Sequence, residues 1–373
     1  MIYFDNAATT YPKPKEVYDA IEFAMKNFSF NAGRGSYKAA TNTFRMIQET
    51  REKIASLIDT NYERVIFTSS ATESLNNIIY GLELSNNDTV MISPFEHNAI
   101  VRTLYNIGIK IILIPFDKDS WELKEKEFED LVIINKPKAI LISHISNVTG
   151  FELPYSRIFD ISKKHGCINV LDSAQGFGVH KIQKDNIDFV VFAGHKSLFA
   201  MFGIAGYICL SNTELRTYKV GGTGSDSLNH NMPDIYPYRY EAGSMNSIGI
   251  YSINKSIDFL KNNNFKEKEY ELIKYLLLKL KEIEGVVIFL PKNYVSCGIV
   301  SFGIKGLKAD EVSSILSEEF DICVRSGYHC APYIHDFINS KPYGGTIRVS
   351  LSGFNTFDEI DKLINALIEI VSI

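Results

Sequence analysis

The sequence has little cysteine, and what it has follows no pattern. Its 373 residues include five, Cys167, Cys209, Cys297, Cys323 and Cys330, an odd, scattered set without a C-x-x-C pair. That argues against a disulfide framework or a zinc knuckle and for a reducing, cytoplasmic setting. No metal-ligand spacing stands out. Nor does any run of Lys and Arg, and the formal net charge is -5, which argues against nucleic acid as the main partner. Met1-Ile-Tyr-Phe-Asp5 has neither the basic nor the apolar region of a signal peptide, so none is expected. Apolar runs such as Ile187 to Ala193 are too short to span a bilayer, and no membrane partner is expected. There is no internal repeat and no low-complexity linker.

What remains is an ordinary globular mixture, 45% hydrophobic and 22% charged, long enough for one large core and a smaller second domain. Between residues 60 and 210 short apolar runs alternate with helical segments. The runs predict strands at Arg64–Thr68, Thr89–Ser93, Lys110–Ile114, Lys138–Ser143, Ile168–Leu171, Phe189–Ala193 and Ala205–Leu210. Helices such as Glu73–Leu84 and Tyr155–His165 lie between them, so the expected fold class is α/β with a mostly parallel, twice-covered seven-stranded sheet. After about residue 250 the texture changes. Amphipathic stretches at Ile250–Lys261 and Lys266–Ile283 precede strands near Val286–Leu290, Ile299–Ile304, Ile322–Arg325 and Thr346–Leu351, with helices at Ala309–Phe320 and Thr356–Ile370. This predicts a large domain over 15–248 and a smaller α+β domain formed by 1–14 and 249–373.

Open α/β sheets bind ligands beyond the carboxyl ends of their strands, and the chemically suggestive residues fall there. Asp172 ends one predicted strand, Gly194-His195-Lys196 follows another, Asn147 follows a third, and Ser70-Ala-Thr-Glu73 follows a fourth and opens a helix. A lysine is ordinarily a solvated surface charge. Lys196, just after an apolar strand, reads instead as a buried amine able to form a Schiff base with an aldehyde. Asp172 could be a turn residue; as a buried carboxylate it would keep a pyridine nitrogen protonated, which is how proteins tune pyridoxal phosphate (PLP). Ser70-x-x-Glu73 has the spacing of a capping box, and free amides at such a helix start also bind phosphate, with Thr72 able to add a hydroxyl. His97 reads either as a loop histidine or as an imidazole stacked on a cofactor ring and used in proton transfer.

Together these segments resemble the cysteine desulfurase group of the class V, fold-type-I PLP enzymes. The resemblance runs over nearly the whole chain, through Tyr3-Phe-Asp-Asn-Ala-Ala-Thr-Thr10, Arg34-Gly35, Ala71-Thr72-Glu73, Glu96-His97, Ser146-Asn147, Asp172-Ser-Ala-Gln175, Gly194-His195-Lys196, Glu241-Ala-Gly-Ser244, Val324-Arg-Ser-Gly-Tyr-His-Cys330 and Thr346-Ile-Arg348. Gly221-Gly-Thr-Gly-Ser225 is most like a branch of desulfurase-like proteins. The resemblance implies a PLP transferase fold of type I with Lys196 holding the cofactor and Asp172 facing its pyridine nitrogen. It places Asn147 and Gln175 near the phenolic oxygen and His97 on the ring. Ala71, Thr72 and His195 would hold the phosphate, with Ser244 reaching the phosphate of the other subunit of a homodimer. Arg348, with Asn147, would receive the substrate carboxylate, a bidentate guanidinium task. Cys330, in a polar loop with cationic potential that can favour thiolate, would attack the sulfur of L-cysteine and keep it as a persulfide for a sulfur or selenium acceptor protein. L-selenocysteine is the alternative substrate, and a selenocysteine lyase, a class V aminotransferase, another PLP lyase or a sulfur-handing scaffold without catalysis are the alternative activities. One departure concerns the cofactor: Ala193 stands where relatives carry Ser or Thr, removing one phosphate hydroxyl.

Overall fold

The structure, a computed structural model, describes residues 1–32, 35–224 and 227–372. Two motif residues named above, Arg34 and Ser225, lie outside the described residues. The strands are β1 (Ile2–Tyr3), β2 (Val65–Thr68), β3 (Thr89–Ile92), β4 (Lys110–Leu113), β5 (Ala139–Ser143), β6 (Ile168–Asp172), β7 (Phe189–Ala193), β8 (Ala205–Cys209), β9 (Val286–Ile288), β10 (Ile299–Ile304), β11 (Ile322–Cys323), β12 (Arg325–Gly327) and β13 (Thr346–Ser350). Seven of them form one sheet in the order β2-β8-β7-β6-β5-β3-β4. Every pairing from β7 to β4 is parallel, while β8 runs antiparallel to both β7 and β2. This is the mostly parallel seven-stranded sheet expected.

Composition explains which strands lie where. Strands β5, β7 and β8 are buried at every position, as strands covered on both faces must be. The edge strand β4 opens with an exposed Lys110 and is only partly covered, a charged edge that discourages further pairing. The other edge, β2, is fully buried and needs another solution. Its Phe67 amide donates to Glu241 Oε1 (2.7 Å), and its Val65 carbonyl accepts from Arg51 Nη1. Arg51 and Glu241 form a buried, two-pronged ion pair with each other. These side chains fill the place of an eighth strand.

A four-stranded antiparallel sheet, β12-β13-β10-β9, builds the smaller body, and β1 pairs in parallel with β11. Phe4 is buried in the core of this body. The helix Ser247–Lys261 follows the large sheet in the chain. Its Ile250, Ile253 and Ile257 are buried in the core of the large sheet, so this helix packs on the large body. The single strand expected over Ile322–Arg325 breaks at Val324 into β11, paired with β1, and β12, paired with β13. Among the described residues no helix is long and apolar enough to cross a membrane.

Candidate active site

The carboxyl ends of β5, β6 and β7, together with the helix starts after β2 and β3, enclose one cavity. Ala71, Thr72, His97, Asn147, Asp172, Gln175, His195 and Lys196 all line it, and Ala193 lines it too. Eight residues singled out from the sequence thus share one space.

Lys196 follows β7 and stands opposite the buried Asp172 at the end of β6. Burial lowers the Lys196 amine from the ordinary lysine value, with Asp172 pulling the other way. Burial likewise raises Asp172, whose Oδ1 accepts from the Ala174 amide at 3.0 Å. Gly194 has no room for a side chain: a Cβ there would lie 2.6 Å from the Ile204 carbonyl. His195 is held at about 4 by burial, then by Lys196 and Lys13, and its Nδ1 is buried without a hydrogen-bond partner.

The helix Ala71–Gly81 is capped by Ser70, whose Oγ accepts from the Glu73 amide at 3.1 Å. The Glu73 carboxylate reaches one residue further back than the capping-box spacing implied, to the amide and hydroxyl of Ser69. The first amides of the helix, those of Ala71 and Thr72, have no intrahelical acceptor by position and face an anion readily. His97 is the N-cap of the helix Asn98–Ile107, its Nδ1 accepting from the Ala99 amide at 3.0 Å. This bond assigns the ring proton to Nε2, and burial, followed by Lys196, lowers the imidazole to about 4. While the cap holds, His97 is a neutral donor at Nε2. Gln175 donates its amide to the Ala7 carbonyl at 2.9 Å.

Arg348, on β13, is 1% exposed. Its Nη1 donates to the Asn147 carbonyl at 2.9 Å and its Nη2 to Asp5 Oδ1. The guanidinium expected for a substrate carboxylate therefore already has a carboxylate beside it. Cys330 is exposed, unlike the other four cysteines, which are buried or half-buried. Its carbonyl accepts from the Asn98 amide at 2.7 Å, the His329 carbonyl accepts from Asn147 Nδ2 at 2.8 Å, and its Sγ lies 3.7 Å from Arg325 Nη2. Both His329 and Cys330 have left-handed backbone, φ 45° and 57°. The loop is thus tied at two carbonyls to the rim of the cavity. Burial pushes the thiols of Cys167 and Cys209 up to about 11 and about 12, which suits inert packing groups.

Ser244 is not part of this cavity. It is exposed, on the wall of a separate cavity of about 570 Å³ that also includes Phe30, Arg51 and Tyr238. It is not a helix cap either, because Asn246 caps the helix Ser247–Lys261 through the Gly249 amide.

Sequence reasoning missed three groups. Asp5 was part of a quoted motif but had no role. Glu96, fully buried below the cavity, accepts from Ser93 Oγ, Ser143 N and Ser143 Oγ, yet burial still raises its carboxyl to about 8. Lys13 reaches the His195 carbonyl (2.9 Å) and Thr10 Oγ1 (2.8 Å), and burial lowers its amine to about 7. Its place between Pro12 and Pro14, in a segment otherwise tied to the active loop, was the available signal.

The residues present fit a pyridine aldehyde phosphate. An amine of lowered proton affinity, a buried carboxylate, unpaired amides at a helix start and an unpaired imidazole nitrogen share the cavity. The family model for class-V aminotransferases matches residues 2–363, and the chain belongs to the class-V aminotransferase family, whose members depend on PLP. A probable cysteine desulfurase of Methanothermobacter thermautotrophicus is 28% identical over 99% of this chain and 94% of its own length. Another, of Halalkalibacterium halodurans, is 30% identical over 98% and 92%. The apo structure of a cysteine desulfurase from Thermococcus onnurineus superposes with a TM-score of 0.89 at 27% identity, covering 100% of this chain and 94% of that one. The fold is that of the type I PLP enzymes.

Proposed function

We propose that the chain is a cysteine desulfurase, converting L-cysteine to L-alanine and leaving the sulfur on Cys330 as a persulfide. The observation that carries this reading is an exposed thiol on a loop whose backbone is bonded to cavity-lining Asn147 and to Asn98, the neighbour of cavity-lining His97. Transamination needs no such thiol. PLP, when bound, supplies an electron sink that allows the substrate Cα to give up its proton. The chain's residues do the rest. Lys196 offers an amine that is easily uncharged, able to bond an aldehyde and to take a proton from Cα. Asp172 holds a positive charge on its ring partner. The amides of Ala71 and Thr72, with His195, grip phosphate, and Ala193 contributes no hydroxyl. Arg348 takes the substrate carboxylate, and Arg325 Nη2 stands 3.7 Å from Cys330 Sγ. The Cys330 thiolate attacks the substrate sulfur: the S–S bond forms as the Cβ–S bond breaks, and the electron pair of that bond stays with the carbon fragment, which takes up protons and leaves as alanine.

A homodimer completes the proposal, with the exposed Ser244 supplying a hydroxyl to the partner's phosphate site. An acceptor protein then takes the sulfur. The test is an anaerobic assay of the PLP-loaded protein with L-cysteine and L-selenocysteine, following alanine with sulfide or selenide. Cys330→Ser should retain substrate binding and release no sulfide. Full sulfide release by that variant would exclude the persulfide route, and activity on selenocysteine alone would make the enzyme a selenocysteine lyase.

A further inference from the structure

Away from this cavity, three side chains of metal-ligating type meet where no sequence spacing announces them. Glu152 lies on the stretch after β5, His180 on the stretch after β6, and Cys297 just before β10. One ligand atom from each lies within 4.8 Å of the others, and Cys297 Sγ is 4.0 Å from Glu152 Oε2. The other carboxylate oxygen, Oε1, is bonded by the buried His144 through Nε2 at 3.3 Å, and His144 Nδ1 is held by Ser173 Oγ at 2.9 Å. A carboxylate steadied at one oxygen by an imidazole has the outer support that ligating carboxylates ordinarily have. His180 gives an independent sign. Its Nδ1 is sealed from solvent and has no hydrogen-bond partner, whereas buried ring nitrogens normally find one. A thiol–carboxylate hydrogen bond alone would account for Cys297 and Glu152 and leave this nitrogen unexplained.

We propose that Glu152, His180 and Cys297 form a binding site for a divalent cation of the zinc class. The donor set of one nitrogen, one oxygen and one sulfur suits a borderline-soft cation, and the exposure of Glu152 leaves the fourth tetrahedral position to water. Two ligands are ready. Burial holds His180 at about 4, so its imidazole is neutral, and Glu152 is kept below the usual carboxylate range chiefly by its bond to His144. The third must release a proton, since burial and then Glu152 push the Cys297 thiol up to about 12. The S–H bond breaks, an S–metal bond forms, the proton goes to solvent, and no electron changes hands. Thiolate and carboxylate together balance the two charges of the cation, while Lys266, which acts electrostatically on all three ligands, opposes it. The ion would tie the small sheet to two stretches of the large one, and those stretches also carry the cavity residues Asn147 and Gln175.

The test uses tag-free, PLP-loaded protein carrying Cys330→Ser, which removes the exposed thiol as a rival ligand. After dialysis against zinc chloride and then metal-free buffer, bound zinc is counted per folded chain. One zinc is expected, with affinity reduced at least about tenfold by Cys297→Ser or His180→Ala in the same background. No zinc on the folded parent, or unchanged zinc on both variants, overturns the site. Should a variant fail to fold, the natural chain decides. Zinc must slow alkylation of Cys297, read by peptide mass spectrometry, and equal alkylation with and without zinc overturns the proposal.

Discussion

Replacing Asp5 with asparagine would show how the cavity keeps an arginine in reserve. Arg348 is 1% exposed and Asp5 22%, with Arg348 Nη2 bonded to Asp5 Oδ1. Unit charges ~4 Å apart at an effective dielectric of ~20 attract by about 4 kcal/mol. Partial exposure of Asp5 and the hydrogen bonding kept by an amide reduce the loss, so Asp5→Asn should cost about 1–3 kcal/mol. The same carboxylate opposes a substrate carboxylate approaching the same guanidinium. Relief of only ~1.4 kcal/mol of that repulsion is a factor of about ten in affinity. The denaturation midpoint of Asp5→Asn should therefore fall, and its KM for L-cysteine should fall about tenfold, with a smaller change in kcat. Steady-state alanine production reads the second effect, alongside Arg348→Lys, whose KM should rise because a point ammonium cannot grip a carboxylate in two places. A KM that rises in Asp5→Asn as it does in Arg348→Lys would refute the competition and make Asp5 a positioning group. An unshifted midpoint would refute the stabilising pair.

Three further outcomes are expected. Borohydride reduction of the yellow PLP-loaded protein should leave the cofactor on Lys196 in a peptide map; finding it on another lysine, above all the half-buried Lys13, would overturn the assignment. Glu96 has its carboxyl raised to about 8 from an ordinary 4.5, so the folded protein keeps a proton that the unfolded chain releases. The stability this adds is fully present below about pH 4.5 and is lost as pH rises through about 8. Glu96→Gln should flatten that decline in urea titrations between pH 5 and 8, and an equal slope in both proteins would contradict it. Ser244→Ala should leave thermal stability unchanged, because Asn246 is the cap, but should speed PLP release from the dimer; an unchanged release rate would remove Ser244 from the phosphate site.

Much of this was legible because it is local. Apolar runs bounded by turn residues located all seven strands of the large sheet to within a residue at each end, and residues at strand ends fell into one cavity because parallel strands bring their carboxyl ends together. What stayed hidden depends on contacts distant in sequence. The amphipathic pattern of Ser247–Lys261 shows that one face is buried but not under which sheet. The pairing of Asp5 with Arg348 spans nearly the whole chain, and nothing near either residue marks it. The same holds for Glu152, His180 and Cys297. His97 escaped recognition as a cap because histidine is not among the residues that usually cap helices, although its Nδ1 is placed to accept from an amide two residues on.

The pair Arg51–Glu241 has a consequence outside the chemistry. By occupying the amide of Phe67 and the carbonyl of Val65, it closes an apolar strand that would otherwise offer its free edge to any passing chain. Glu241 also opens the segment that ends at Ser244, so damage there has two separate effects. Loss of the serine hydroxyl would change how one molecule holds its cofactor. Loss of the glutamate would unstopper the sheet, and its mark would be self-association and poor solubility of the protein during folding.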